Sequence, residues 1–107
     1  MVNPHKEIDE KEMASFHLVI DEDAQKYLDD LTLKSNRIVK DKLKLLETDP
    51  FPEKNKVKEL IHFSDYDAYR MHIARSYTVF YQIDNENKKV MILWLGTIEQ
   101  AHKLYGR

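Results

Sequence analysis

The stretch Tyr69-Arg70-Met71-His72-Ile73-Ala74-Arg75-Ser76-Tyr77-Thr78-Val79-Phe80-Tyr81-Gln82-Ile83 decides the fold. Both halves alternate with period two, the pattern of strands that bury one face. Tyr69, Met71 and Ile73 point inward, and Arg70 and His72 point outward. Ala74-Arg75-Ser76 reads as a hairpin turn, after which Tyr77, Val79, Tyr81 and Ile83 share one side. The polar run Asp84 to Lys88 turns the chain again. Lys89 to Gly96 is apolar on both faces, as a central strand covered on two sides would be. These segments predict a three-stranded antiparallel meander.

Upstream, Phe16 to Ile20 reads as a short strand with Phe16, Leu18 and Ile20 on one face. Asp21 supplies an N-cap oxygen, and Glu22 and Asp23 put negative charge in a first helical turn, where the helix dipole favours it. Ala24, Leu28 and Leu31 carry this helix to about Leu31. After a break at Thr32 to Ser35, Val39, Leu43 and Leu46 form the stripe of a second helix ending near Thr48. The pair reads as an antiparallel helical hairpin. Asp49-Pro50-Phe51-Pro52 stops it, because proline lacks a backbone donor and pushes its predecessor out of the α region. A lysine-rich loop through Lys58 follows, re-anchored by Leu60 and Ile61, and Ser64 to Asp67 is a turn. The end of the chain, from Thr97, is a candidate helical turn. The fold class is thus α+β: an N-terminal strand, a helical hairpin, then the meander, forming one sheet.

A chain of 107 residues is one domain. We divide it into a polar leader, 1–15, a candidate for disorder, and a folded domain, 16–107. With 42% hydrophobic and 34% charged residues the composition is that of a globular protein, not a disordered one. There is no cysteine, which fits a reducing cytoplasm. Val90 to Leu95, the longest apolar run, is far too short for a membrane span, and residues 1–15 lack the order of a signal peptide. The expected location is cytoplasmic, with no membrane partner. A net charge of −2 argues against coating nucleic acid by bulk charge. Locally, however, eight basic residues from Lys34 to Lys58 face four acidic ones. That surplus fits either a solvated helix face or an anion-facing surface.

The ordered set of segments resembles the RelE/ParE toxin superfamily, including its archaeal RelE-like branch. The resemblance spans roughly residues 16–105. It rests on the strand and helical hairpin, Asp49-Pro50-Phe51-Pro52, Lys58-Glu59-Leu60 followed by Tyr69-Arg70, and Ser76 to Asp84; Leu95-Gly96 and then Tyr105 match the family's ending less tightly. It implies the toxin of a type II toxin–antitoxin pair, a ribosome-dependent messenger RNA endoribonuclease that inhibits translation. The implied partners are a cognate antitoxin, the ribosome and mRNA. No metal, cofactor or small-molecule partner is implied.

Cleavage of this kind is attack of a ribose 2′-OH on its own phosphodiester. It needs groups to move two protons and positive charge beside the phosphate. Arg70 and His72, two apart on one strand, project from the same face. His72 is a candidate acid or base, or else an exposed histidine with no task. Arg70 could clamp phosphate, or pair across the sheet with an acidic neighbour. The resemblance adds Tyr105, for base stacking or proton transfer, with His102 and Arg107 nearby. Lys54, Lys56 and Lys58 could track an RNA backbone, or only solubilise a loop. Arg75, at the hairpin tip, could reach a large partner or be merely solvated. Tyr77, Tyr81 and Trp94 read as packing.

Two departures from the family's cleaving members stand out. Those members commonly carry arginine directly after the tyrosine matching Tyr77, where this chain has Thr78. They also carry a basic residue shortly after the glycine matching Gly96, where Thr97 and Ile98 follow here. These departures keep open a non-catalytic ParE-like toxin that binds gyrase, or a relic that binds only its antitoxin. An ordinary small α+β protein is the third reading.

Overall fold

The computed structural model describes residues 15–52 and 57–105. The expected leader therefore lies almost wholly outside the described residues. Strand β1 is His17–Ile20, helix α1 Glu22–Asp30 and helix α2 Leu33–Leu45. Strands β2 (Lys58–His62), β3 (Asp67–Ile73), β4 (Tyr77–Asp84) and β5 (Lys89–Thr97) follow, then helix α3, Ile98–Tyr105. They form one five-stranded sheet in the order β1-β5-β4-β3-β2. β1 joins β5 in parallel, and every other pair is antiparallel.

Local chemistry accounts for most boundaries. The Asp21 carboxylate accepts from Asp23 N at 3.0 Å and opens α1. Thr32 does the same for α2 through Ser35 N, and the Asn36 amide donates to Leu28 O at 2.8 Å, tying the two helices. Pro50 follows the end of α2, and its carbonyl accepts from the buried Tyr81 hydroxyl at 2.7 Å. The helix stop is thus fastened to the centre of the sheet. Leu28, Val39, Leu43 and Leu46 pack from the helices onto Met71, Ile73, Val79, Tyr81, Val90 and Ile92. Each fully buried Leu or Ile contributes about 2 kcal/mol of transfer free energy.

Three features differ from the sequence reading. The meander has a fourth strand, because Lys58–His62 is not a loop but pairs antiparallel with β3 as an edge. Ile98–Tyr105 forms a full helix, opened by a capping box: Gln100 N donates to Thr97 Oγ1 at 3.1 Å, and Thr97 N to Gln100 Oε1 at 2.9 Å. Strand β5 carries a bulge opposite Phe80 and Tyr81. Phe80 pairs with Trp94 and Tyr81 with Ile92, so Leu93 is the extra residue. Ile92 and Leu95 thereby both face the main core, while Leu93 and Trp94 turn to the other side of the sheet.

Candidate functional site

The sheet face away from α1 and α2 carries the site. β3 places Ala68, Arg70 and His72 there, β4 adds Thr78 and Phe80, and register puts Glu59 of β2 beside Arg70. Helix α3 lies on this face, with Ala101 buried against the second core cluster of Ala68 and Phe80. Tyr105 at its end packs edge-on against Phe80, ring centroids 5.6 Å apart. Gly96, the cross-strand partner of Thr78, leaves room for this packing: a Cβ there would stand 2.6 Å from Trp94 Cζ2 and 2.8 Å from Gln100 Oε1.

Arg70 is the hub. Its Nη1 donates to the Tyr105 hydroxyl at 2.8 Å, and its Nη2 is paired with Glu59 Oε1. The guanidinium carbon also lies 5.4 Å from the Tyr105 ring centroid. The side chain is only 15% exposed, and its buried Nε has no hydrogen-bond partner among the described residues. Arg70 therefore sits on the outward face expected of it, but as one half of a cross-strand ion pair.

His72 is half-buried beside it, with Nδ1 2.9 Å from Thr78 Oγ1 across the β3–β4 pair. Burial holds its imidazole below the ordinary histidine value, and the positive charges of Arg70 and His102 push the same way. Glu59 opposes them more weakly. His102, exposed on α3, meets the Tyr105 ring edge-on at 5.6 Å. Beyond the start of β2, His72 also borders a cleft lined by Lys42, Asp49, Lys58 and Met71.

Lys58 and Arg75, the other expected residues that are described, do not join this cluster. Lys58 pairs in register with Met71, so it faces the helices, on the side opposite Arg70. Its side chain is 9% exposed, and Nζ meets Asp49 Oδ2 at 3.1 Å. The expectation of a loop lysine open to an RNA backbone is corrected on that point. Arg75 is exposed at the β3–β4 turn with φ 60°, next to Ala74 at φ 54°. Lys54, Lys56 and Arg107 lie outside the described residues. Sequence reading missed Glu59 as a partner and Thr78 as a contributor. The first follows only once β2 is paired, and the second had registered solely as a missing arginine.

A four-strand antiparallel run with a parallel N-terminal strand, one helical pair on one face and a short C-terminal helix on the other defines a small α+β fold. It is the RelE-like fold, as superposition on solved structures shows. A chain of the archaeal RelE–RelB complex from Pyrococcus horikoshii OT3 matches with a TM-score of 0.63 and 24% identity, covering 78% of this chain and 94% of that one. A chain of a RelBE toxin–antitoxin complex from Mycobacterium tuberculosis matches at 0.66 and 19% identity, over 79% and 93%. The isolated E. coli RelE toxin matches at 0.64 and 23% identity, over 83% and 97%. No family model and no curated protein matches the sequence.

Proposed function

We propose that this chain is the toxin of a toxin–antitoxin pair, and that it stops translation in the cytoplasm by cutting messenger RNA on the ribosome. The RelE-like fold supports the toxin reading: one of its neighbours is a toxin–antitoxin complex and another a RelE–RelB complex. The observation that carries the cleavage reading is the convergence of Arg70, His72, His102 and Tyr105 on one face of the sheet, beside the end of α3.

Those side chains offer the proton-moving groups and the positive charge that the step needs. The ribose 2′-oxygen attacks phosphorus, the P–O2′ bond forms and the P–O5′ bond breaks. The products are a 2′,3′-cyclic phosphate and a 5′-hydroxyl. The 2′-OH proton passes to an imidazole on this face, and the 5′-oxygen takes up a proton from the same set of groups or from water. Arg70 meets the phosphate when that anion replaces the Glu59 carboxylate, one anion exchanged for another. Tyr105, held by Arg70 at its hydroxyl, offers its ring edge or its phenol to the adjoining nucleotide.

Induced expression tests this reading. Growth should arrest, message ends should map within translated codons, and co-expression of an adjacent helical, acidic antitoxin gene should restore growth. Arrest with intact messages would overturn the cleavage reading while leaving a toxin.

A further inference from the structure

We propose that Thr78 is a positioning residue that fixes neutral His72 in its Nε2–H tautomer, so that His72 meets the scissile phosphate as an uncharged hydrogen-bond donor and not as a base. The inference rests on the cleavage reading for its functional part, but its structural part stands alone.

The argument starts from a buried hydroxyl. Thr78 is 0% exposed, and its side chain projects onto the Arg70 face. The hydrogen-bond partner that the described residues give its hydroxyl is His72 Nδ1, at 2.9 Å. A buried donor left unmet carries the full cost of its lost hydration. The Thr78 O–H is met only by donating to Nδ1, which must then carry a lone pair. In a neutral imidazole the single proton is left on Nε2. The reverse arrangement, Nδ1–H donating to Oγ1, strands the Thr78 proton in the interior.

Charge reinforces the choice. Protonating His72 puts a proton on Nδ1 and forces the same stranding. The groups facing the ring are Arg70 on its own strand, His102 on α3 and Glu59 on β2. Arg70 and His102 both disfavour a charged ring, and the Glu59 carboxylate is already engaged by Arg70. Thr78 thus stands where cleaving members of the family commonly place an arginine, and it acts through its neighbour. It supplies no charge of its own but aims an N–H from His72. A ring protonated at Nε2 cannot accept the 2′-OH proton. That transfer falls to His102, the histidine whose charge reaches the His72 ring.

The test reads the ring directly. In uniformly 15N-labelled protein without RNA, long-range proton–nitrogen correlations report each His72 nitrogen at a pH where the ring is neutral. The expected pattern is a pyridine-like Nδ1 and a pyrrole-like Nε2, kept in Thr78→Ser and replaced by a tautomer mixture in Thr78→Val. The wild-type spectrum decides even where Thr78→Val fails to fold. A pyrrole-like Nδ1 in the wild type, or a Thr78→Val pattern identical to it, would overturn the proposal. Cleavage on ribosomes should fall about tenfold in Thr78→Val, equivalent to losing one hydrogen bond, and recover in Thr78→Ser. A correct tautomer in a protein that never cleaves RNA would sink the cleavage reading and leave the Thr78–His72 geometry intact.

Discussion

Glu59 and Arg70 are direct cross-strand partners on β2 and β3, and the carboxylate of one closes on the guanidinium of the other. The same guanidinium holds the phenol of Tyr105, 35 residues further along the chain. One edge strand, one inner strand and the C-terminal helix are therefore joined through a single side chain. The pair also sets the electrostatics of the face. The cation most suited to a phosphate is already neutralised, by a glutamate that is itself 52% exposed.

Glu59→Gln keeps the size of the side chain and removes its charge. Arg70 then faces the open side without a competing anion. Binding of a short single-stranded RNA should tighten several-fold, with a steeper dependence on salt. The stability cost should be small, about 1 kcal/mol or less in urea, because the glutamate is half exposed. RNA affinity that does not change would show that Glu59 does not compete for Arg70.

Gly96→Ala places a methyl group against the Trp94 ring and the Gln100 amide, both of which are already fixed by packing or by the Thr97 cap. Overpacking of this kind costs about 1–3 kcal/mol. Trp94 is the chain's single tryptophan, so its fluorescence reports the displacement without interference. An unchanged emission spectrum and unfolding midpoint would contradict the packing described.

The helical hairpin offers an internal contrast. Leu46 is fully buried beneath the sheet, whereas Leu33 at the start of α2 is 79% exposed. Leu46→Ala should cost about 2–5 kcal/mol by leaving a cavity. Leu33→Ala should lie within about 0.5 kcal/mol of the wild type. Similar urea midpoints for the two variants would mean that the helices do not pack as described.

His72 makes stability depend on pH in a defined direction. Its folded value lies below the unfolded one, so between the two the unfolded chain binds more protons. Its contribution is complete above the unfolded value of about 6.5 and is lost as pH falls through the folded value. His72→Gln should flatten this part of the curve. Asp84, lowered chiefly by hydrogen bonds from Asn87, acts the same way in the more acid carboxylate range and does not confuse the two. Unfolding midpoints from neutral pH downward check the sign.

The strands with one clean buried face were legible in the sequence because period-two alternation is a local property. Tyr69 to Ile73 and Tyr77 to Ile83 fall on the faces expected of them. So do the Asp21 cap and the Pro50 stop, which are local chemistry as well. Lys58–His62 escaped because an edge strand carries a mixed pattern, and because Lys58 is buried by a tertiary ion pair with Asp49 that no local signal announces. Helix α3 did leave a signal: Thr97 followed by Gln100 is a capping box. At the site, two outward basic residues on β3 could be read from spacing. Their partners could not, since Glu59 and Thr78 reach them only through strand register. Pairing is a long-range property, and a one-residue slip would have turned both side chains to the other face.

The most direct test is cleavage of a defined message on purified translating ribosomes. The folded wild-type chain should leave 2′,3′-cyclic phosphate ends upstream and 5′-hydroxyl ends downstream. Arg70→Ala/His72→Ala, with its fold checked by urea titration, should cut at least about a hundredfold more slowly. A folded wild-type protein that leaves the message whole, or a double variant that cuts as fast as wild type, would contradict the account.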